Sequence, residues 1–123
     1  MIYLAKGVVK TYRNWIICEL DNEIIKYYRA LLPKCLYVSG PREVAHITIV
    51  RNFENPDRFG WSKYNGEPID VLYYSGIQTD KRNLYYWLNA QSDRIIEIRK
   101  ELGLSAYIGL YETLHITVGN TKQ

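Results

Sequence analysis

The sequence predicts a single α/β (α+β) domain over residues 1–123, built as two related lobes. Three observations lead there. Two segments repeat their apolar residues at helical spacing, most of the remaining chain has strand character, and each helix leads to the same short motif. The interval is thirteen residues from Pro33 to His46 and twelve from Gly103 to His115. Each lobe therefore reads as a helix followed by a strand bearing His-Ile-Thr, the pattern of an internal duplication.

The first helix is expected over residues 22–32. Asp21 is placed to cap its free N–H groups, Glu23 puts negative charge in the first turn, and Pro33 ends it. Ile24, Ile25, Tyr28, Leu31 and Leu32 supply its apolar face. The second is expected over residues 93–102, capped by Ser92 and closed by Gly103. Ile95, Ile96, Ile98 and Leu102 form its stripe, with Arg94, Glu97, Arg99, Lys100 and Glu101 assigned to the wet side. Strands are expected over 4–9 and 14–20, around a turn at Thr11-Tyr12-Arg13. Residues 69–77 and 83–88 flank a hairpin turn at 78–82, and the motif strands are 45–50 and 113–118. Residues 51–68 are rich in Asn, Pro, Gly and aromatics without periodicity, which marks a functional or mobile loop.

Composition narrows the function classes. Apolar residues make up 47% of the chain and charged residues 24%, which is globular rather than disordered. A net charge of +3 permits an anionic ligand but falls short of nucleic-acid binding driven by charge alone. Twelve Tyr and three Trp against two Phe give most of the aromatic surface a polar handle, suited to stacking and hydrogen-bonding a ligand. Apolar runs stop at about four residues, so no membrane span is expected. The opening residues lack a signal-peptide pattern, and a cytoplasmic location is expected. Cys18 and Cys35, with no CxxC, exclude a zinc module or disulfide scaffold and read as two reduced thiols.

The chain has two histidines, and both stand in the same setting. In a strand, residues i and i+2 share a face, so His46 pairs with Thr48 and His115 with Thr117. Ile47 and Ile49, and Ile116 and Val118, point the other way and anchor each strand to the core. With eleven Ser and Thr in 123 residues, a hydroxyl two places after both His is about a one-in-a-hundred coincidence. An imidazole titrates near neutrality, so of two such groups one serves as base and the other as acid. Placed on opposite sides of a phosphodiester, they can deprotonate the attacking oxygen and protonate the leaving one. The hydroxyls can donate to non-bridging phosphate oxygens. This chemistry requires no metal or cofactor, and none is expected.

The paired His-Ile-Thr motifs resemble those of the two-histidine (2H) phosphoesterase superfamily. Its fold implies two α/β lobes around a central groove, lined by the motif strands. The resemblance makes His46 and His115 the acid–base pair, with Thr48 and Thr117 holding the phosphate. Within the superfamily the chain is most similar to the phage anti-CBASS phosphodiesterases, which cleave cyclic oligonucleotide messengers without metal and so disarm a bacterial defence. The short length, the 69 residues between the histidines and the Tyr-rich opening strands carry that likeness. It implies a cyclic di- or trinucleotide substrate, the host bacterial cytoplasm as location, and a nucleotide-contacting role for Tyr12. An RNA 2′,3′-cyclic phosphodiesterase acting on RNA ends would use the same centre. A module that binds cyclic nucleotides or RNA without cleaving them is the alternative from another class. No obligate protein partner is implied.

Other residues divide between binding and packing. The loop holds Phe53, Arg58, Phe59, Trp61, Lys63 and Tyr64; aromatics interleaved with bases suit a nucleotide, and equally a loop folded onto its own aromatics. Trp61 is the stacking candidate. Tyr73, Tyr74, Tyr85, Tyr86 and Trp87 read mainly as cross-strand packing. Tyr107 and Tyr111 precede the second motif, Glu112 reads as solvated, and Arg42 reads as a surface residue near the first motif.

Overall fold

Period-two alternation shapes the strands. β1 (Ile2–Thr11) turns Ala5, Gly7 and Val9 to the core and Lys6 and Lys10 to solvent. The computed structural model describes residues 1–40, 44–109 and 112–121. After β1 come β2 (Ile16–Glu19), α1 (Asn22–Ala30), β3 (His46–Val50), β4 (Pro68–Thr79), β5 (Tyr85–Gln91), α2 (Asp93–Glu101) and β6 (Leu114–Asn120). A 3-10 turn, Lys34–Leu36, follows Pro33.

Both helices start where their caps predict. Asp21 Oδ1 accepts the Glu23 N–H at 2.9 Å, and Ser92 Oγ accepts the Ile95 N–H at 3.3 Å. Gly103, at φ +77°, closes α2 in the left-handed conformation that glycine adopts without strain. The hairpin turn falls later than expected: β4 continues to Thr79, and Asp80 Oδ1 accepts the Leu84 N–H at 2.8 Å to form the turn. One side-chain assignment is overturned. Arg99, expected on the wet side of α2, has no exposed surface.

The strands close into one antiparallel barrel in the order β1-β2-β3-β6-β5-β4. This corrects the expectation of two lobes around a central groove. The duplication is present in the connectivity, since β1-β2-α1-β3 and β4-β5-α2-β6 are the same arrangement twice, and the ring reads the same with the halves exchanged. Yet β1 pairs with β4 and β3 with β6, joining the halves on both sides. A separate three-stranded half would leave two rows of unpaired backbone groups, and closure removes them. The helices interlock the halves further: α1 packs against β6 and α2 against β3.

A single core cluster draws on all six strands and both helices. Ile47, Ile49, Ile116 and Val118 are fully buried in it, as their alternation predicts. Each contributes about 1.5–3 kcal/mol by leaving water, which fixes the opposite face of both motif strands away from the core. Cys18 is buried and its thiol is pushed up to about 12 by that burial, while Cys35 is exposed. Among the described residues no helix is long and apolar enough to cross a membrane.

Candidate active site

The two motifs meet at the β3–β6 seam. Ile47 and Ile116 lie directly opposite one another there, in antiparallel register. One step either way along that register sets His46 across from Thr117, and Thr48 across from His115. All four polar residues are half-buried and line one cavity of about 580 Å³, together with Arg51, Tyr85, Trp87 and Thr113. The four catalytic candidates are thus brought together as expected.

Each imidazole is held differently. His46 Nδ1 lies 2.7 Å from the Val44 carbonyl oxygen, which can only accept. Nδ1 therefore carries a proton, and Nε2 is the atom left for proton transfer. The Trp15 indole meets this ring edge-on, with centroids 5.8 Å apart. His115 lies beside Trp87, with centroids 5.2 Å apart and planes tilted by 36°. Burial pushes the His115 imidazole below its ordinary value of 6.5, and the Arg51 cation pushes the same way. Trp87 is fixed in turn: its Nε1–H donates to Asn89 Oδ1 at 3.0 Å, which also accepts the Thr113 hydroxyl at 3.2 Å.

A pair of bulges shapes the rim. Against β2, Thr48 faces Ile17 but Val50 faces Ile16, so β3 carries one extra residue after the motif. Against β5, Thr117 faces Trp87 but Gly119 faces Tyr86, so β6 carries one at the matching place. A bulge inverts the alternation beyond it. Ile49 and Val50 are consequently both buried, and Arg51 emerges on the cavity side.

The remaining candidates are placed less centrally. Tyr12 does not line the cavity, but its ring stacks on Trp15 at 5.0 Å and 19°, so the series Tyr12–Trp15–His46 runs outward from the site. Trp61 is also outside the cavity; its Nε1–H donates to the Tyr12 carbonyl at 2.9 Å, and the Arg58 guanidinium covers its ring at 4.4 Å. It braces the turn that carries Tyr12. Tyr64 is buried, with its hydroxyl donating to Glu101 at 2.7 Å, while Phe53 and Phe59 are exposed, so the loop is partly folded onto its own aromatics. Tyr107 packs against the core and Glu112 is exposed. Arg42 and Tyr111 lie outside the described residues.

Sequence reasoning missed Arg51 and Trp15, and read Trp87 with its neighbours mainly as cross-strand packing. A period-two reading sends Arg51 to the core side, and the bulge that reverses it has no residue signature. No protein-family model, curated protein or solved structure matches the chain.

Proposed function

We propose that this protein is a phosphodiesterase that cleaves 3′–5′ bonds of cyclic di- or trinucleotides by His/His acid–base chemistry. The observation that carries the reading is the seam itself. Two His-x-Thr pairs, one from each half, line a single cavity with indoles beside both imidazoles. Binding alone needs cationic and aromatic contacts, not two titrating groups on opposing strands.

The surroundings divide the labour. His115, held neutral by burial and the neighbouring cation, is the general base. It takes the proton from a water or from the ribose 2′-hydroxyl as that oxygen attacks phosphorus. His46, with Nδ1 anchored on the Val44 carbonyl, presents Nε2–H as the general acid. The bond from phosphorus to the leaving ribose oxygen breaks as that oxygen takes the proton. Thr48 and Thr117 donate to the non-bridging oxygens as charge builds on them. Tyr12, stacked on Trp15, extends an aromatic surface for a base.

The choice of cyclic oligonucleotide, and with it a role against CBASS defence, follows the resemblance of the motifs and their spacing. A chromatographic assay in excess EDTA tests the proposal, with the protein and His115→Ala against cyclic di- and trinucleotides and a 2′,3′-cyclic mononucleotide. Cleavage of the cyclic oligonucleotides, lost in the variant, is the expected result. Cleavage of only the 2′,3′-cyclic substrate would assign the protein to RNA ends. Binding without cleavage would make it a sequestering module.

A further inference from the structure

We propose that Arg51 is a substrate-phosphate ligand, the one Lys or Arg among the described residues that lines the seam cavity. The inference rests on the phosphodiesterase reading of the site and adds a binding residue that the motifs do not contain.

Three observations carry it. The bulge in β3 turns Arg51 onto the cavity side, at the His115 end of the seam. The backbone there is rigid: Arg51 N–H donates to Glu54 Oε1 at 2.9 Å. Glu54 is gripped in turn by Arg99, which also donates to the Ile49 carbonyl. Both sides of the bulge are thus tied to one buried guanidinium. Finally, the Arg51 guanidinium makes no hydrogen bond or ion pair among the described residues, because Glu54 spends both oxygens on Arg99. A planar guanidinium held at a cavity mouth with its donors open can engage two oxygens of a tetrahedral phosphate at once.

The second half supplies an internal control. Its matching bulge leads to Asn120, five residues after His115 as Arg51 is five after His46. Asn120 carries no charge, does not line the cavity, and pairs its backbone with Ser39. Among the described residues, the duplicated site therefore carries its cavity-lining cation at one end only. A phosphodiester would be drawn to the His115 end, where the base must meet the attacking oxygen. Among the described residues, the ionisable groups lining the cavity with His115 are His46 from β3, Arg51 just beyond it, Asp80 from the turn, and Tyr85 and Tyr86 from β5.

The test compares wild type, Arg51→Gln and Arg51→Lys, all at an exposed position outside the core. Inorganic phosphate is titrated while the ring resonances of the two histidines are followed by NMR, and kcat/KM for a cyclic dinucleotide is measured alongside. Arg51→Gln should weaken phosphate binding at least about tenfold and lower kcat/KM about 10- to 100-fold, with Arg51→Lys recovering part of each. Its His115 ring should also titrate at higher pH, a change that a merely structural role would not produce. Equal phosphate binding in wild type and Arg51→Gln, or no response of either ring to phosphate, overturns the proposal. Phosphate binding that depends on Arg51 without cleavage of any phosphodiester would sustain it while refuting the enzymatic reading. Full cleavage by Arg51→Gln would do the reverse.

Discussion

Arg99 grips Glu54 through both carboxylate oxygens, at 3.0 and 2.7 Å, from a position with no exposed surface. Its remaining donors reach the Ile49 carbonyl at 2.6 Å and the Ser105 carbonyl at 2.7 Å, so one side chain joins α2, the end of β3 and the loop beyond it. Burying a guanidinium is costly, and four hydrogen bonds offset that cost here. Arg99→Leu leaves Glu54 without its counter-charge and two carbonyls unsatisfied. It should destabilise the fold by about 3–5 kcal/mol, read as a lowered midpoint in urea unfolding.

The same carboxylate gives an acid limit to stability. Desolvation pushes Glu54 up, but hydrogen bonds from Arg99 and the Arg51 N–H outweigh it, and the group sits below its ordinary 4.5. Glu67 is also lowered, chiefly by the hydrogen bond from Arg94. A carboxylate lowered in the folded state stabilises fully above its unfolded value and loses that contribution as pH falls through the folded one. Urea midpoints should therefore be flat with respect to these groups above about pH 5.5 and fall below about 4.5. Glu54→Gln should flatten part of the decline.

Replacing either histidine by Ala should lower kcat by about 10²–10⁴-fold, the usual worth of a general acid or base. Both side chains project from the face opposite the packed isoleucines, so the thermal midpoint should move by no more than a few degrees. Full activity in His46→Ala would sink the acid–base scheme.

If His115 is the base as proposed, the pH dependence of kcat/KM follows from it. Burial and the Arg51 cation lower His115, so the acid limb of the profile should have its midpoint below the ordinary 6.5. Removing the Arg51 cation raises the His115 value and moves this acid limb upward. Burial remains in the variant, so the limb should stop short of complete reversion.

Gly119 lies where the chain at Val38 and Ser39 crosses β6, and a Cβ there would run into the Ser39 carbonyl oxygen and the Val38 side chain. The Ser39–Asn120 backbone pairing holds that crossing in place. Gly119→Ala should cost about 1–3 kcal/mol, with activity per folded molecule reduced because the strand bearing His115 must shift. Unaltered stability would show that the crossing yields more easily than its paired backbone implies.

Much of the site was legible because strand periodicity is rigid. Once His46 and Thr48 share a face, Ile47 and Ile49 must bury, and the structure buries both. Helix ends were legible for a similar reason, since Asp21, Ser92 and Gly103 act locally. What escaped depends on distant partners. The closed barrel arises from edge pairing between halves, which neither half encodes by itself. Arg99 looked like a surface residue because its counter-charge, Glu54, lies 45 positions away. Arg51 was hidden by the bulge, and Trp61 looked like a stacking platform because its hydrogen bond to the Tyr12 turn has no local signature.

The seam joining Ile47 to Ile116 has a consequence in time. Its partners are 69 positions apart, so closing it costs more chain entropy than forming the intervening hairpin or α2. The helices and the β4–β5 hairpin, by contrast, can form from neighbours in the chain. During refolding, helical signal should return first and hydrolytic competence last, with a measurable lag between them. A nascent chain would stay inert until its final strand, β6, emerged and docked.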